Sequence, residues 1–211
     1  MPYRLLQSET DMDHGLAALV AADPALAPVA EATGPVRLRR REAGFAALLS
    51  AIVSQQVSVA SARAIWARLE GAGLTERSAV ARAEEDALRA CGLSRQKIRY
   101  ALALAQSGVD FDRLHGMDDA GIVATLTAVP GIGVWTAEIY AMFALGRADI
   151  FPAGDLALQE GARLALDLPE RPRERALRAR AEAWAPWRSV AAKLLWQYYA
   201  LVKEREGVNS R

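Results

Sequence analysis

At 211 residues the chain is long enough to bury a substantial core, in one domain or in two small lobes. Hydrophobic residues make up 52%, alanine is abundant and β-branched runs are few, a bias that predicts an all-helical globule. A single cysteine (Cys91) excludes an internal disulfide framework and any four-cysteine zinc or iron–sulfur site, while a net charge of +1 is not that of a nonspecific nucleic-acid coat.

In chain order, Asp11 to Ala22 reads as a short helix stopped by Pro24, and a second, weaker one ends before Gly34-Pro35. A basic connector, Arg37 to Arg41, leads into a strong amphipathic pattern. Phe45, Leu48, Leu49, Ile52 and Val53 recur at three-and-four spacing and make one apolar face. Ser54-Gln55-Gln56 interrupts that face. A further helix carries Val59, Ala62, Ile65, Trp66 and Leu69 as far as Gly71. Short helices follow around Ser78–Val80 and Glu84–Ala90, the latter stopped by Gly92, and Ser94 caps a helix running to about Gln106. Asp118 or Asp119 caps Ile122 to Ala128. After a turn over Pro130–Gly133, Trp135 to Leu145 is helical and ends at Gly146. The loop Phe151–Asp155 precedes a helix from Leu156 to Leu166, with Leu158, Ala162 and Ala165 on one face. Helices over Glu174–Trp184 and from Trp187 to about Lys203 finish the chain. Arg171 to Arg180 alternates with Glu170, Glu174 and Glu182, the pattern of a solvated helix face. There is no convincing strand and no clean repeat.

The richest stretch is Val129-Pro130-Gly131-Ile132-Gly133-Val134-Trp135-Thr136-Ala137. So short a turn calls for positive φ and no Cβ at Gly131 and Gly133. The helix that follows at once aims its unpaired N–H groups and the positive end of its dipole into the same space, which suits an anion, most commonly phosphate. Thr136 adds a hydroxyl. A plain inter-helix turn is the competing reading of these residues. Asp155, about twenty residues on, has two readings as well: the N-cap of the Leu156–Leu166 helix, which Asp favours, or a carboxylate that does chemistry.

With the hairpin and Asp155 both in view, the chain resembles the helix-hairpin-helix DNA glycosylase superfamily, and within it the alkylated-base branch of 3-methyladenine DNA glycosylase II. The segments that carry the likeness are Ile52-Val53-Ser54-Gln55-Gln56-Val57-Ser58, the hairpin through Ala137, Asp149-Ile150-Phe151-Pro152-Ala153-Gly154-Asp155, and Pro186-Trp187-Arg188-Ser189 with Trp196. They span the chain from about residue 44 onward. The resemblance implies an all-α fold of two lobes, residues 44–147 and residues 1–43 with 148–211, with a DNA-binding cleft between them. It also implies that the separate β-rich N-terminal domain of some relatives is missing.

The resemblance makes Asp155 the catalytic group. Breaking an N-glycosidic bond to an already cationic alkylated base needs little help for the leaving group. The transition state is an oxocarbenium-like deoxyribose that a nearby anion stabilises, as carboxylates do in glycoside hydrolysis. Trp135 stands where bifunctional relatives carry the lysine that forms a Schiff base, so hydrolysis without strand cleavage is expected. By position Trp135 and Trp196 match pocket aromatics that would stack on a cationic base, with Tyr140 a neighbour one position off. Core packing is the alternative for Trp196, and Trp66, Trp184 and Trp187 are assigned to the core or an interface. Gln55 and Gln56 sit at the tip that enters the minor groove in this family, with Gln56 the wedge that fills the gap left by the flipped nucleotide; a solvent-exposed kink is the competing view. Gly131, Gly133 and Thr136 would hold the DNA backbone without reading bases. The Arg37–Arg41 cluster would flank the groove; Arg188 and Lys193 could touch phosphate, but nothing in the sequence separates them from ordinary surface charges.

The expected activity is thus a monofunctional glycosylase of base excision repair acting on 3-methyladenine and 7-methylguanine in double-stranded DNA. A helix-hairpin-helix DNA-binding protein without chemistry is the alternative. No cofactor is required; the resemblance implies a structural Na or K ion held by the backbone of Thr127, Val129 and Ile132. With no leader-like opening and no apolar run long enough for a bilayer, a monomer in the bacterial cytoplasm, associated with the nucleoid, is expected.

Overall fold

The computed structural model describes residues 3–209, and among them thirteen α-helices and two short 3-10 helices. The helices are α1 (Glu9–Ala22), α2 (Ala27–Thr33), α3 (Phe45–Ser54), α4 (Val59–Gly71), α5 (Arg77–Arg82), α6 (Glu85–Ala90), α7 (Arg95–Gln106), α8 (Phe111–Leu114), α9 (Asp119–Thr127), α10 (Val134–Phe143), α11 (Leu156–Ala165), α12 (Glu174–Ala181) and α13 (Arg188–Asn209). The described residues contain no strand, only an isolated antiparallel bridge between Leu5 and Arg147. None of their helices is long and apolar enough to cross a membrane. The chain forms two compact units, one from Arg41 to Tyr140 and one from the residues up to Arg40 together with those from Ala141 onward.

In the unit from Arg41 to Tyr140, α3 packs on α7 and α4, and α5 packs on α7. The sequence sets this directly. Leu48, Leu49, Ile52 and Val53 of α3 are fully buried, as are Ile98, Ala101 and Leu104 of α7, each row following the three-and-four spacing of one helical face. Burying a leucine or isoleucine of this kind stabilises the fold by about 1.5–3 kcal/mol. Helix starts follow their caps: the Ser58 hydroxyl accepts from Ser61 N, Ser94 from Lys97 N, and Asp118 rather than Asp119 from Gly121 N at 2.7 Å. The four-residue α8 is absent from the sequence reading because a single turn has no period to detect. Asp110, which accepts from Asp112 N and Arg113 N, was its one available signal.

In the other unit α13 is the central element, packed against α11, α2 and α1. It begins at Arg188 and continues past Lys203 to Asn209, because only Gly207 interrupts the last turns. Residues Glu174–Trp184 form not one helix but α12 followed by a 3-10 turn over Glu182–Trp184. Trp184 is fully buried, and its indole N–H donates to the Asp23 carboxylate at 2.9 Å beside Arg180 at 3.0 Å. Burial pushes the Asp23 carboxyl up, but these donors outweigh it and hold the group below its ordinary range. The α11–α13 contact is close: a Cβ on Gly161 would stand 2.6 Å from the Leu195 carbonyl oxygen. Backbone meets backbone there, and only glycine fits.

Candidate functional site

The hairpin is built in the first of these units. Helix α9 ends at Thr127, Ile132 N donates to the Val129 carbonyl at 3.1 Å, and α10 starts at Val134. Gly131 carries the turn with φ +92°, and a Cβ there would overlap the Tyr100 ring, with the Tyr100 Cβ at 2.7 Å. Gly133 differs from expectation. Its φ lies outside the left-handed region and a Cβ would meet no protein atom, so what glycine secures at 133 is open space in front of the helix rather than an unusual backbone. Gly133, Val134 and Trp135 are exposed, the two side chains at 48% and 45%, an uncommon display of large apolar groups at the head of a helix. Thr136 is buried at 6%, so the hydroxyl expected at the surface is not presented there. The surface at this point is backbone and indole.

Tyr140 is buried, and its hydroxyl accepts from the Gly44 amide at 2.8 Å, at the start of α3. Burial raises the phenol's pKa, and the Gly44 bond opposes that rise. The same unit places the two glutamines. Gln56 is exposed and has φ +55°, a left-handed conformation that costs a non-glycine residue on the order of 1 kcal/mol or more. Gln55 instead turns inward: its side-chain amide donates to the Gly131 carbonyl at 2.9 Å and ties the tip of the α3–α4 loop to the hairpin. Lys97, only 9% exposed, donates from Nζ to the Val53 carbonyl at 2.7 Å at the C-terminal end of α3, and burial lowers its pKa. Lys97 was missed in the sequence, although a lysine in register with Ala101 and Leu104 on the buried face of α7 was a readable signal.

The second unit holds the carboxylate. The loop before α11 is pinned from below: the buried Ser189 hydroxyl donates to the Arg147 carbonyl at 2.7 Å and accepts from Ile150 N at 3.1 Å. Arg188 makes a two-pronged pair with Asp149 at 2.7 and 2.8 Å, so the guanidinium that the sequence offers to phosphate is occupied within the chain. Gln159, also buried, donates to the Ala153 carbonyl at 2.8 Å. On this support Asp155 sits half-buried as the N-cap of α11. Its Oδ1 accepts from Leu158 N at 2.8 Å and from the Trp196 indole N–H at 3.0 Å. Trp196 lies half-buried on α13 and stacks on Phe143, ring centroids 6.0 Å apart and planes at 27°. The capping role and a reactive role are therefore compatible in one side chain: Oδ1 takes both donors, so the carboxylate is fixed in direction. Trp184 and Trp187 are core residues, and the Trp66 indole donates to Glu70 at 2.7 Å.

Beside Trp196, Lys193 is 6% exposed, its Nζ 4.7 Å from the centroid of the Phe143 ring. Burial, reinforced by the charges of Arg40 and Arg39, lowers its pKa to about 8. Taken alone in the sequence, Lys193 is not distinguishable from an ordinary surface charge, and the structure buries it. The apolar run Val190 to Trp196 around it was the available sign of that burial.

The profile described as HhH-GPD superfamily base excision DNA repair protein matches residues 49–186. The chain is similar to the crystal structure of a DNA-3-methyladenine glycosidase from Bacillus halodurans, at 35% identity and a TM-score of 0.82 over 97% of this chain and 95% of that one. It is similar in sequence to DNA-3-methyladenine glycosylase 1 of Schizosaccharomyces pombe, 29% identical over 77% of this chain and 75% of the relative. The structure of the S. pombe 3-methyladenine DNA glycosylase in complex with abasic DNA superposes with a TM-score of 0.75 at 27% identity, over 87% of this chain and 95% of that one.

Proposed function

Because this chain belongs to the HhH-GPD superfamily of base excision DNA repair proteins, we propose that it is a monofunctional DNA glycosylase that removes alkylated purines such as 3-methyladenine and 7-methylguanine by hydrolysis. The observation that carries the proposal is Asp155, a half-buried carboxylate held in one direction at the head of α11 by Leu158 N and the Trp196 indole. The names of the similar proteins, all of them 3-methyladenine enzymes, support the substrate class.

In the proposed reaction the C1′–N bond of the flipped nucleotide breaks, and its electron pair leaves with the base. A base that is already cationic departs neutral, so no acid is needed. The positive charge that develops on the deoxyribose is stabilised by Asp155, and water adds at C1′ with loss of a proton. The hairpin holds the DNA backbone through the N–H groups at the head of α10, where the Gly133 surface leaves room for a phosphate. Gln56 acts as the wedge, its strained, exposed backbone presenting the side chain outward, while Gln55 braces the wedge loop on the hairpin. The exposed indole of Trp135 offers a face for a cationic base, a contact worth roughly 0.5–2 kcal/mol. Trp196 directs Asp155.

One chemical absence and one ion follow from the same residues. Helix α10 contains no lysine, and Trp135 occupies the lysine position of bifunctional relatives, so no Schiff base forms there. A monovalent cation is the one ion proposed. The Thr127 carbonyl falls in the last turn of α9, where carbonyls lack intrahelical partners, and with those of Val129 and Ile132 it would supply hard oxygen ligands to that cation, whose charge would neutralise a phosphate at the hairpin. Incubation of the protein with methylated duplex DNA is the direct test. Free 3-methyladenine or 7-methylguanine and matching alkali-labile sites are expected, and borohydride should trap no covalent adduct. DNA binding without base release would show instead a helix-hairpin-helix binding protein.

A further inference from the structure

A group of cations gathers around one small cavity in the unit that carries Asp155. The cavity, about 150 Å3, is lined by Arg37, Arg39, Lys193, Gln197, Phe143 and Trp196. That is space for a benzene-sized group, which is ample for a phosphodiester. Its walls are held in place: Gln197 donates to the carbonyls of Thr33 and Pro35 at 3.1 and 3.0 Å, which fixes the segment leading to Arg37 against α13.

Lys193 is the decisive side chain. It is more than nine-tenths buried, and its hydrogen-bond acceptor is the Arg39 carbonyl at 3.5 Å, at the outer limit of such a bond. Among the described residues no carboxylate makes an ion pair with Lys193, Arg37 or Arg39. The acidic group that acts on Lys193 is Glu9, whose carboxylate is occupied by Leu38 N at 3.1 and 3.2 Å, and Arg40 nearby spends its guanidinium on the Leu6 and Ala144 carbonyls. Buried charges in proteins are normally paired. Here a buried ammonium faces two arginines across a cavity.

The sign of the charge selects the ligand. A cationic alkylated base is repelled by this cavity, and an oxyanion is drawn in. We propose that the cavity bounded by Lys193, Arg37 and Arg39 is a phosphate subsite that takes a backbone phosphodiester of the DNA, seated against Trp196, whose indole directs Asp155. The DNA part of this assignment rests on the glycosylase reading; the anion site rests on the cavity alone.

Calorimetry on the full chain at pH 8.5 tests both parts, with two probes and two buffers of different ionisation enthalpy. A bound oxyanion stabilises the charged form of Lys193, so wild-type protein should take up a fraction of a proton on binding duplex DNA that contains a tetrahydrofuran abasic analogue. Lys193→Met should abolish that uptake and lower the slope of log K against log salt by about one unit, as should Arg39→Gln for the slope. Lys193→Arg should keep the slope but lose the uptake, which shows that the effect is charge at this position rather than damage to the fold. Inorganic phosphate is the second probe. Proton uptake that depends on Lys193 with phosphate but not with DNA would overturn the phosphodiester assignment in favour of a free-phosphate site. Wild-type slopes and no uptake with either probe would overturn the subsite altogether. Base release from methylated DNA, measured on the same preparation, reports the glycosylase reading independently.

Discussion

Replacing Asp155 with asparagine separates its two roles, because asparagine is as good an N-cap as aspartate. Asn keeps an Oδ1 that accepts from Leu158 N and from the Trp196 indole, the bonds seen at 2.8 and 3.0 Å. Only the charge is removed. Its interaction with the α11 dipole is worth about 0.3–1 kcal/mol, so thermal unfolding should change little. The chemical step should change greatly. A carboxylate about 4 Å from the developing sugar cation, at an effective dielectric near 20, contributes about 4 kcal/mol. That corresponds to a loss of about a thousandfold in single-turnover base release. Asp155→Ala must behave differently, since it also removes the cap at about 0.5–2 kcal/mol and leaves the indole and Leu158 N–H groups without their acceptor. The measurements are methylated-base release under single-turnover conditions, thermal unfolding, and affinity for abasic-analogue DNA. If Asp155→Asn stays within about tenfold of wild type while Asp155→Ala loses activity through instability, Asp155 is a cap and the mechanism is wrong.

At the hairpin, Gly131→Ala should destabilise the fold by more than about 1 kcal/mol, because it combines a left-handed φ with overlap on Tyr100. Gly133→Ala should stay within about 1 kcal/mol of wild type in unfolding while weakening binding to undamaged duplex, read by fluorescence anisotropy. Equal effects of the two substitutions would contradict the division drawn between them. Gly161→Ala should cost roughly 1–3 kcal/mol by pushing α11 off α13, and should reduce base release beyond what the lost stability explains, since Asp155 and Trp196 ride on those two helices. Lys193 makes a prediction in pH. Its folded pKa of about 8 lies below the unfolded value of 10.5, so the unfolded chain binds more protons between these limits. The destabilisation is complete below pH 8 and is relieved as pH rises towards 10.5, by up to about 1.4 kcal/mol per pH unit. Lys193→Met should therefore unfold at higher denaturant than wild type at pH 7, with the gap narrowing towards pH 10.5. A pH-independent gap would show that Lys193 is not buried as a charge.

The helical frame was legible because its signals are local. The apolar rows of α3 and α7 recur with the helical period, and Ser94 and Asp118 are caps that declare themselves within three residues. Asp155 was legible for the same reason, as a cap residue in a recognisable neighbourhood. What stayed hidden depends on contacts between residues far apart in the chain. That Gln55 faces Gly131 rather than solvent depends on a partner 76 positions away. The burial of Tyr140 under Gly44 spans 96 positions, and the indole bond to Asp155 spans 41. Gly133 was misjudged because Gly131 alone supplies the left-handed residue of the turn, and the pattern Gly-x-Gly does not say which glycine does so.

In the proposed mechanism the charges of the two units serve different tasks, a distinction that makes a net charge of +1 compatible with gripping DNA. At the hairpin the proposed attraction for phosphate would come from backbone dipoles at the head of α10, which add nothing to the net charge. In the unit with Asp155, side-chain cations are partly cancelled by design: Arg188 is bound to Asp149 and Arg180 to Asp23, which spends them on structure. Lys193, with Arg37 and Arg39 beside it, is not spent in this way. A lone carboxylate that must stabilise a sugar cation is weakened by any cation left next to it. Lys193 lies over the Phe143 ring, which stacks on the Trp196 indole that donates to Asp155, and a bound phosphodiester would neutralise these cations as the substrate arrives. On this reading the DNA backbone completes the electrostatics of the site, and Asp155 reaches its full effect on the reacting sugar only when the strand is in place.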